Sequence, residues 1–429
     1  MKSVWKKRRL VAGIVFSLLV LSAGAVAAAE EQITLRIHVP MVDSSPAKPV
    51  MDYYLDLYQQ LNPHIKIENL GREHSPDRLV TMYAAGVIAD VLSIDTLFLN
   101  EFYRQGMLVP MPTALQERIE QEMFPAVVDA LRADGRLFGT PHENMLLGIW
   151  YNRTAMAENG IADLPRTYDE FEQLGRRMAR YSADGEMLSP GAVVSSTVSY
   201  QWEHILLAAY RAEGGRFFDE QGQLAFDEAG MAAVMNRVLD WTTYGGAVPF
   251  VNNQWDEFFH GRAGYFFGYP WHYQELQRGY IGDFNDVGTA PLPAGSAGPS
   301  TTQYGHGFAV TALSQHPDEA WKLIEWLSLT VLENGATPMG HVMAILGSVP
   351  VHRADITSPY VQDTWQMMEG FVAGLEHATN AFQYMIEGFR TETLANYFGD
   401  VMVQVIAGET TILEGLHNLV RRVEAYLSR

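Results

Sequence analysis

The pair His142-Glu143, the triplet Gly305-His306-Gly307 and a set of aromatic rings in turns are where this chain could do chemistry. Most reaction signatures are missing: there is no phosphate loop of the P-loop type, no Gly-x-Ser-x-Gly elbow, no His-Glu-x-x-His and no cysteine. His142-Glu143 could begin a metal site, but no third ligand stands at a useful spacing, so no metal is expected. Gly305-His306-Gly307 lacks the third glycine of a dinucleotide fingerprint, and no cofactor is expected either. Glycosidase carboxylates are defined by separation in space, so among 50 acidic residues an exported glycoside hydrolase stays open as an alternative.

The rings are more informative. The chain holds 9 Trp, 20 Tyr and 20 Phe, and several fall in turns: Tyr200-Gln-Trp202, Trp255, Tyr269-Pro-Trp271 and Tyr304 beside Gly305. A ring on a loop at a sheet edge offers a flat apolar face to the C–H face of a pyranose, while polar neighbours bond its hydroxyls. Packing in a core or a lobe interface is the competing role for each ring, and the stronger one for Trp255.

The elements that must position these groups show in the patterning. Ile33, Leu35, Ile37 and Val39 alternate with polar residues as in a strand, and Pro40 closes it. Val50, Tyr53, Tyr54, Leu57 and Leu61 follow helical spacing until Pro63, and a second strand is predicted over 64–68. Strand, helix and strand in that order predict a right-handed βαβ unit with parallel strands. Further strands are predicted over 90–94, 145–151, 265–268 and 308–311. One helix begins at Thr167 with a capping box to Glu170, another near Ser314 with Pro317 in its first turn, and the region from Thr364 onward is predicted almost entirely helical. The fold class is α/β with more than one sheet.

The first residues address the chain for export. Lys2, Lys6, Lys7, Arg8 and Arg9 precede an apolar run from Leu10 to about Leu21 and a stretch of small residues ending at Ala29, which predicts a signal peptide cleaved after Ala27 or Ala29. Cleavage would move the formal charge from −20 to −25, since five basic and no acidic residues leave. So acidic a chain is a poor partner for nucleic acid or anionic lipid, whose phosphates require clustered Lys and Arg. Without cysteine there is neither a disulfide nor a lipidated N-terminus to expect.

Several segments, in order along nearly the whole mature chain, resemble the family 1 extracellular solute-binding proteins of ABC importers, of the maltose-binding-protein-like, carbohydrate type. They include Leu61-Asn-Pro-His-Ile-Lys-Ile-Glu68, Gly106-Met-Leu-Val-Pro110, Asp134-Gly-Arg-Leu-Phe-Gly-Thr-Pro141, Trp150-Tyr-Asn152, Thr167-Tyr-Asp-Glu-Phe171, the run from Phe259 to Trp271, and Gly347-Ser-Val-Pro350. Two positions depart from the family's pattern: Ala89 stands where Pro is usual, and Ile94-Asp95 stands where a maltose binder carries Trp.

The resemblance implies a two-lobed, type II periplasmic-binding-protein fold with a ligand cleft between the lobes. The expected N-terminal lobe is 30–142 plus 290–342 and the C-terminal lobe 143–289 plus 343–429. It implies a monomer in the periplasm that is not an enzyme, and that hands a small sugar to the permease subunits of an ABC importer. The same fold with a polyamine, a glycerol phosphodiester or a compatible solute is the alternative. Carried over by position, Asp95 bonds hydroxyls, Glu143 or Asn144 stands at the first crossing between lobes, Tyr200 and Trp202 begin a helix of the second lobe, and Trp271 stacks on the sugar beside Tyr269. Asp43, Ser44, Tyr304 and His306 join the candidates as residues of loops after strands. No Arg or Lys stands among these candidates, which disfavours an anionic cargo.

Overall fold

The structure is a computed structural model that describes residues 32–73, 75–194, 199–217, 219, 224–245, 255–374, 378–380 and 391–427. The signal peptide and its cleavage site lie outside the described residues. Ten strands build the two main sheets: β1 (Ile33–Ile37), β2 (Ile65–Asn69), β3 (Val91–Asp95), β4 (Thr140–Leu146), β5 (Gly148–Asn152), β6 (Ala192–Val193), β7 (Tyr265–Gly268), β8 (Val287–Ala290), β9 (Thr301–Val310) and β10 (Ala378–Asn380).

The first sheet runs β10-β9-β3-β1-β2, with β4 also paired to β9. β1 and β2 are parallel with Ile33 opposite Ile65, as the opening βαβ pattern predicts. The intervening helix, Lys48–Leu61, starts on Pro49 and buries Met51, Tyr54, Leu55 and Tyr58, one stripe at helical spacing. Alternate residues of each strand feed opposite layers. Val91, Phe308 and Val310 join a core with helix Pro317–Leu329, while Leu92, Ile94 and Ala309 join a second core with Leu99 and Phe102.

The second sheet runs β6-β7-β5-β8 and is likewise covered on both faces. Ile149, Tyr265 and Phe267 pack against helix Ser199–Ala212, and Trp150, Phe266 and Val193 face the other way, toward Phe371. Two sheets, each with its own pair of cores, make two lobes.

Three passages connect them. The chain leaves the first sheet between Leu146 and Gly148 and returns between Ala290 and Thr301. The third passage follows helix Pro338–Leu346, whose Met339, Val342 and Met343 sit in the first lobe's core. The expected divisions at 143 and 343 therefore fall inside β4 and inside that helix. Where the tail was expected to be helical, the short strand β10 pairs with residues 301–303 of β9 and so belongs to the first sheet. Helices Thr391–Ile406 and Ile412–Leu427 return to the second lobe and pack with its core. The stretch expected as one strand over 145–151 is broken after Leu146, and the helix expected from Ser314 starts at Pro317.

Candidate functional site

A cavity of about 440 Å³ opens where the two lobes meet. The first lobe contributes the loop after β1, with Pro40, Met41, Ser44 and Ser45, and Arg72 from the loop after β2. The crossing strands contribute Glu143, Met145, Tyr304 and His306, and helix His272–Gly279 of the second lobe brings Gln274, Glu275 and Arg278 behind Trp271. Loops at the carboxyl ends of sheet strands, meeting across a break between lobes, are the usual place for a ligand in an open α/β sheet.

The floor is a charged cluster built by strand register. His306 on β9 lies opposite Asp95 of β3 on one edge and opposite Glu143 of β4 on the other, and directly opposed side chains in a ladder stand within reach of each other. His306 Nδ1 meets Glu143 Oε2 at 2.5 Å, and Ser348 Oγ donates to Glu143 Oε1 at 2.8 Å. One carboxylate thus ties together β4, β9 and the third passage. Burial alone would raise the Glu143 pKa, but the field of His306, its hydrogen bond, His142 and Ser348 together hold it down at about 2. Burial would lower the His306 pKa, and Glu143 and Asp95 overcome it and raise it, with Arg72 opposing them.

The register of β9 and β4 slips at this point, so that Gly307 pairs with Pro141 and His142 is the extra residue. The slip explains the flanking glycines. A Cβ on Gly305 would stand 2.3 Å from the Glu143 carbonyl oxygen, and one on Gly307 2.5 Å from Leu131. Gly347 before Ser348 ends its helix in the left-handed conformation at φ +73°, with Tyr273 of the second lobe packed against it. His142, once half of a possible metal pair, turns away to Ser93 Oγ at 3.1 Å.

The opposite wall sets an aromatic face beside Gln274, Glu275 and Arg278. Trp271 is half-buried at the start of helix His272–Gly279, with Trp255 edge-on to it at 5.5 Å. Behind it, the Tyr269 carbonyl accepts from Trp150 Nε1 at 3.1 Å and the Tyr269 hydroxyl meets His204 Nδ1 at 2.7 Å. The Tyr269 amide donates to His272 Nδ1 at 3.0 Å. Burial lowers the pKa of both His204 and His272 to about 3, so both imidazoles are neutral.

Of the residues expected in the site, Ser44, Glu143, Trp271, Tyr304 and His306 line this cavity. Asp43 is exposed beside Ser44 and is not part of the lining. Asp95 stands behind the wall, where it acts on His306 and accepts from the Leu97 amide at 2.8 Å. Asn144, Trp202 and Tyr269 are buried in the interior. Tyr200 belongs to helix Ser199–Ala212, and its side chain lies outside the described residues. The expectation that no cation converges here is corrected: Arg72 and Arg278 both line the cavity. Arg72 was legible by the rule applied to Asp43 and Ser44, since it follows strand β2 as they follow β1. Among the described residues no group of His, Asp and Glu is arranged to hold a metal ion, and no helix is long and apolar enough to cross a membrane.

Known proteins share this frame. The sugar-binding protein MalE of Xanthomonas citri superposes with a TM-score of 0.76 at 22% identity, over 92% of this chain and 98% of that one. In sequence, an uncharacterized ABC transporter extracellular-binding protein of Pyrococcus horikoshii is 22% identical over 324 residues, 70% of this chain and 69% of its own. A maltotriose-binding protein of Pyrococcus abyssi is 22% identical over 331 residues, 75% of this chain and 67% of its own. Residues 43–330 match the profile of the bacterial extracellular solute-binding proteins, and the two-lobed frame agrees with it. The chain belongs to that family.

Proposed function

We propose that this protein is the substrate-binding component of an ABC importer, which closes its lobes on a small mono- or oligosaccharide in the periplasm and delivers it to the membrane permease. It acts as a monomer, not as an enzyme, after removal of a signal peptide at Ala27 or Ala29. The observation that carries the reading is the half-buried Trp271 ring on one wall of the cavity, facing hydrogen-bonding groups on the other. An apolar ring face and a polar edge are what a pyranose presents and needs. The names of relatives such as the maltotriose-binding protein lean the same way.

Closure supplies the signal to the permease. A ligand that touches both lobes makes more contacts in the closed form and shifts the population toward it. A micromolar sugar needs about 8 kcal/mol net, within reach of a stacked ring and a set of hydrogen bonds in a preformed cleft. A thermal-shift screen over maltotriose, mannotriose, other neutral saccharides and sugar acids tests the reading, because a ligand of the folded state raises the melting temperature. The bound form should also show a smaller radius of gyration in solution scattering. No shift with any saccharide would sink it.

A further inference from the structure

The Arg72 guanidinium lines the cavity, yet among the described residues no hydrogen bond or ion pair engages it. The neighbouring acid does not serve it, because Glu73 is taken by Arg78 Nε at 3.1 Å and by the Ser75 amide at 3.0 Å. Glu143 exerts a field on Arg72, but its two oxygens are bonded to His306 and Ser348. Desolvation by the surrounding protein lowers the Arg72 pKa, against the fields of Glu143 and Tyr304.

The other ionisable groups of the lining fall into pairs. Glu143 faces His306, and Glu275 feels the charge of Arg278 one helical turn away. Asp95 lies behind the wall and is engaged by the Leu97 amide. Among the described residues Arg72 is left as the lining cation without an ion pair or hydrogen bond of its own, in the loop that follows β2 on the first lobe, while Trp271 stands on the second. Closing the lobes around a ligand strips water from it. An ion taken out of water without a partner costs several kcal/mol. A neutral sugar would leave that charge uncompensated, whereas an anionic group would cancel it and match the planar donor fork.

We propose that Arg72 selects the cargo, and that the cargo is an acidic saccharide whose carboxylate or phosphate Arg72 holds while Trp271 takes the ring face. This rests on the reading of the cleft as a saccharide site. The test is calorimetry and thermal shift on the full mature chain with three groups of probes. These are uronates (D-galacturonate, D-glucuronate and short oligogalacturonates), sugar phosphates (glucose 6-phosphate), and neutral sugars (maltotriose, mannotriose, galactose).

A uronate or a sugar phosphate should bind the wild type, and whichever of the two does so identifies the acid group. Arg72→Gln should weaken that binding at least tenfold, while Arg72→Lys, which keeps the charge and loses the fork, should fall between. Arg72 sits on an exposed loop, and the unliganded melting temperature of each variant checks that folding is unaffected. Binding of neutral sugars alone, or acidic binding indifferent to Arg72→Gln, overturns the proposal and leaves the saccharide reading standing. No binding in any group overturns both.

Discussion

The crossings at the cleft floor and the interior of the second lobe keep their ionisable groups in opposite states. At the crossings, charge is retained: the Glu143 pKa is held down at about 2, and Glu143 raises the pKa of His306. On the second lobe, burial keeps His204 and His272 neutral, and it pushes Glu203 of the same helix as His204 well above the usual carboxylate range. The difference follows from what stands opposite each group. Glu143 has His306 in register and a hydroxyl donor, whereas burial dominates at Glu203. A hinge held by ionic hydrogen bonds and a platform held by apolar packing should therefore fail under different conditions.

Acid separates them with the largest effect. His204 and His272 have folded pKa values near 3, below the ordinary 6.5. Their stabilisation is intact above pH 6.5 and is lost as pH falls, because the unfolded chain takes up the protons first. By pH 4.5, two units below the unfolded pKa, the loss is about 3 kcal/mol for each imidazole. Glu143 begins to contribute a loss only below 4.5 and completes it near 2. Near-ultraviolet circular dichroism of the Trp271 and Tyr269 region should change before the hinge loosens in scattering. The reverse order would break the comparison.

Removing the hinge carboxylate comes next. Glu143→Gln takes from His306 the carboxylate it is bonded to and should cost about 3 kcal/mol in urea unfolding. Adding His306→Gln should recover part of that loss, giving a coupling of about 1–2 kcal/mol. The pair's contribution on the alkaline side is full below pH 6.5 and disappears as pH rises through the raised His306 pKa. Additive single losses would mean that the two side chains do not act as a unit.

Much of this frame was legible in the sequence, and the reason is local. Alternation in β1, the short apolar run of β3, the cap at Thr167 and the proline at 317 each act within a few residues of where they are read. The site was legible only in part, since it is assembled by register. Tyr269 and Trp271 share one turn, but the chain reverses there and sends Tyr269 to His204 while Trp271 meets the cavity. Trp202 looked equally available and is buried on its helix. Gln274 and Arg278 carry no marker in sequence, because only the docking of their helix, with Gln274 Nε2 donating to the Ile345 carbonyl at 2.8 Å, brings them to the cleft.

Trp271→Ala probes the aromatic wall at its surface. Deleting a stacked ring should weaken saccharide binding by about 1–3 kcal/mol, roughly tenfold to a hundredfold, with the fold kept because the ring is half-buried. Unchanged calorimetric affinity in a folded variant would remove Trp271 from the site and shift recognition to the charged floor.

The smallest effect sharpens the comparison from inside the second lobe. Glu203 is buried, and its Oε1 has no hydrogen-bond partner among the described residues. Burial raises its folded pKa well above 4.5, so as pH rises past 4.5 the native state keeps the proton longer than the unfolded chain does. The cost of taking up that proton grows as pH rises above 4.5 and is absent below it. Glu203→Gln keeps the size and the neutral state without the proton uptake, so it should stabilise the protein at pH 7 in urea unfolding. The gain should shrink to nothing near pH 4, where both chains are protonated. A variant that is less stable at pH 7 would show that Glu203 is ionised and paired in the native protein, and the interior of the second lobe would then follow the same rule as the crossings.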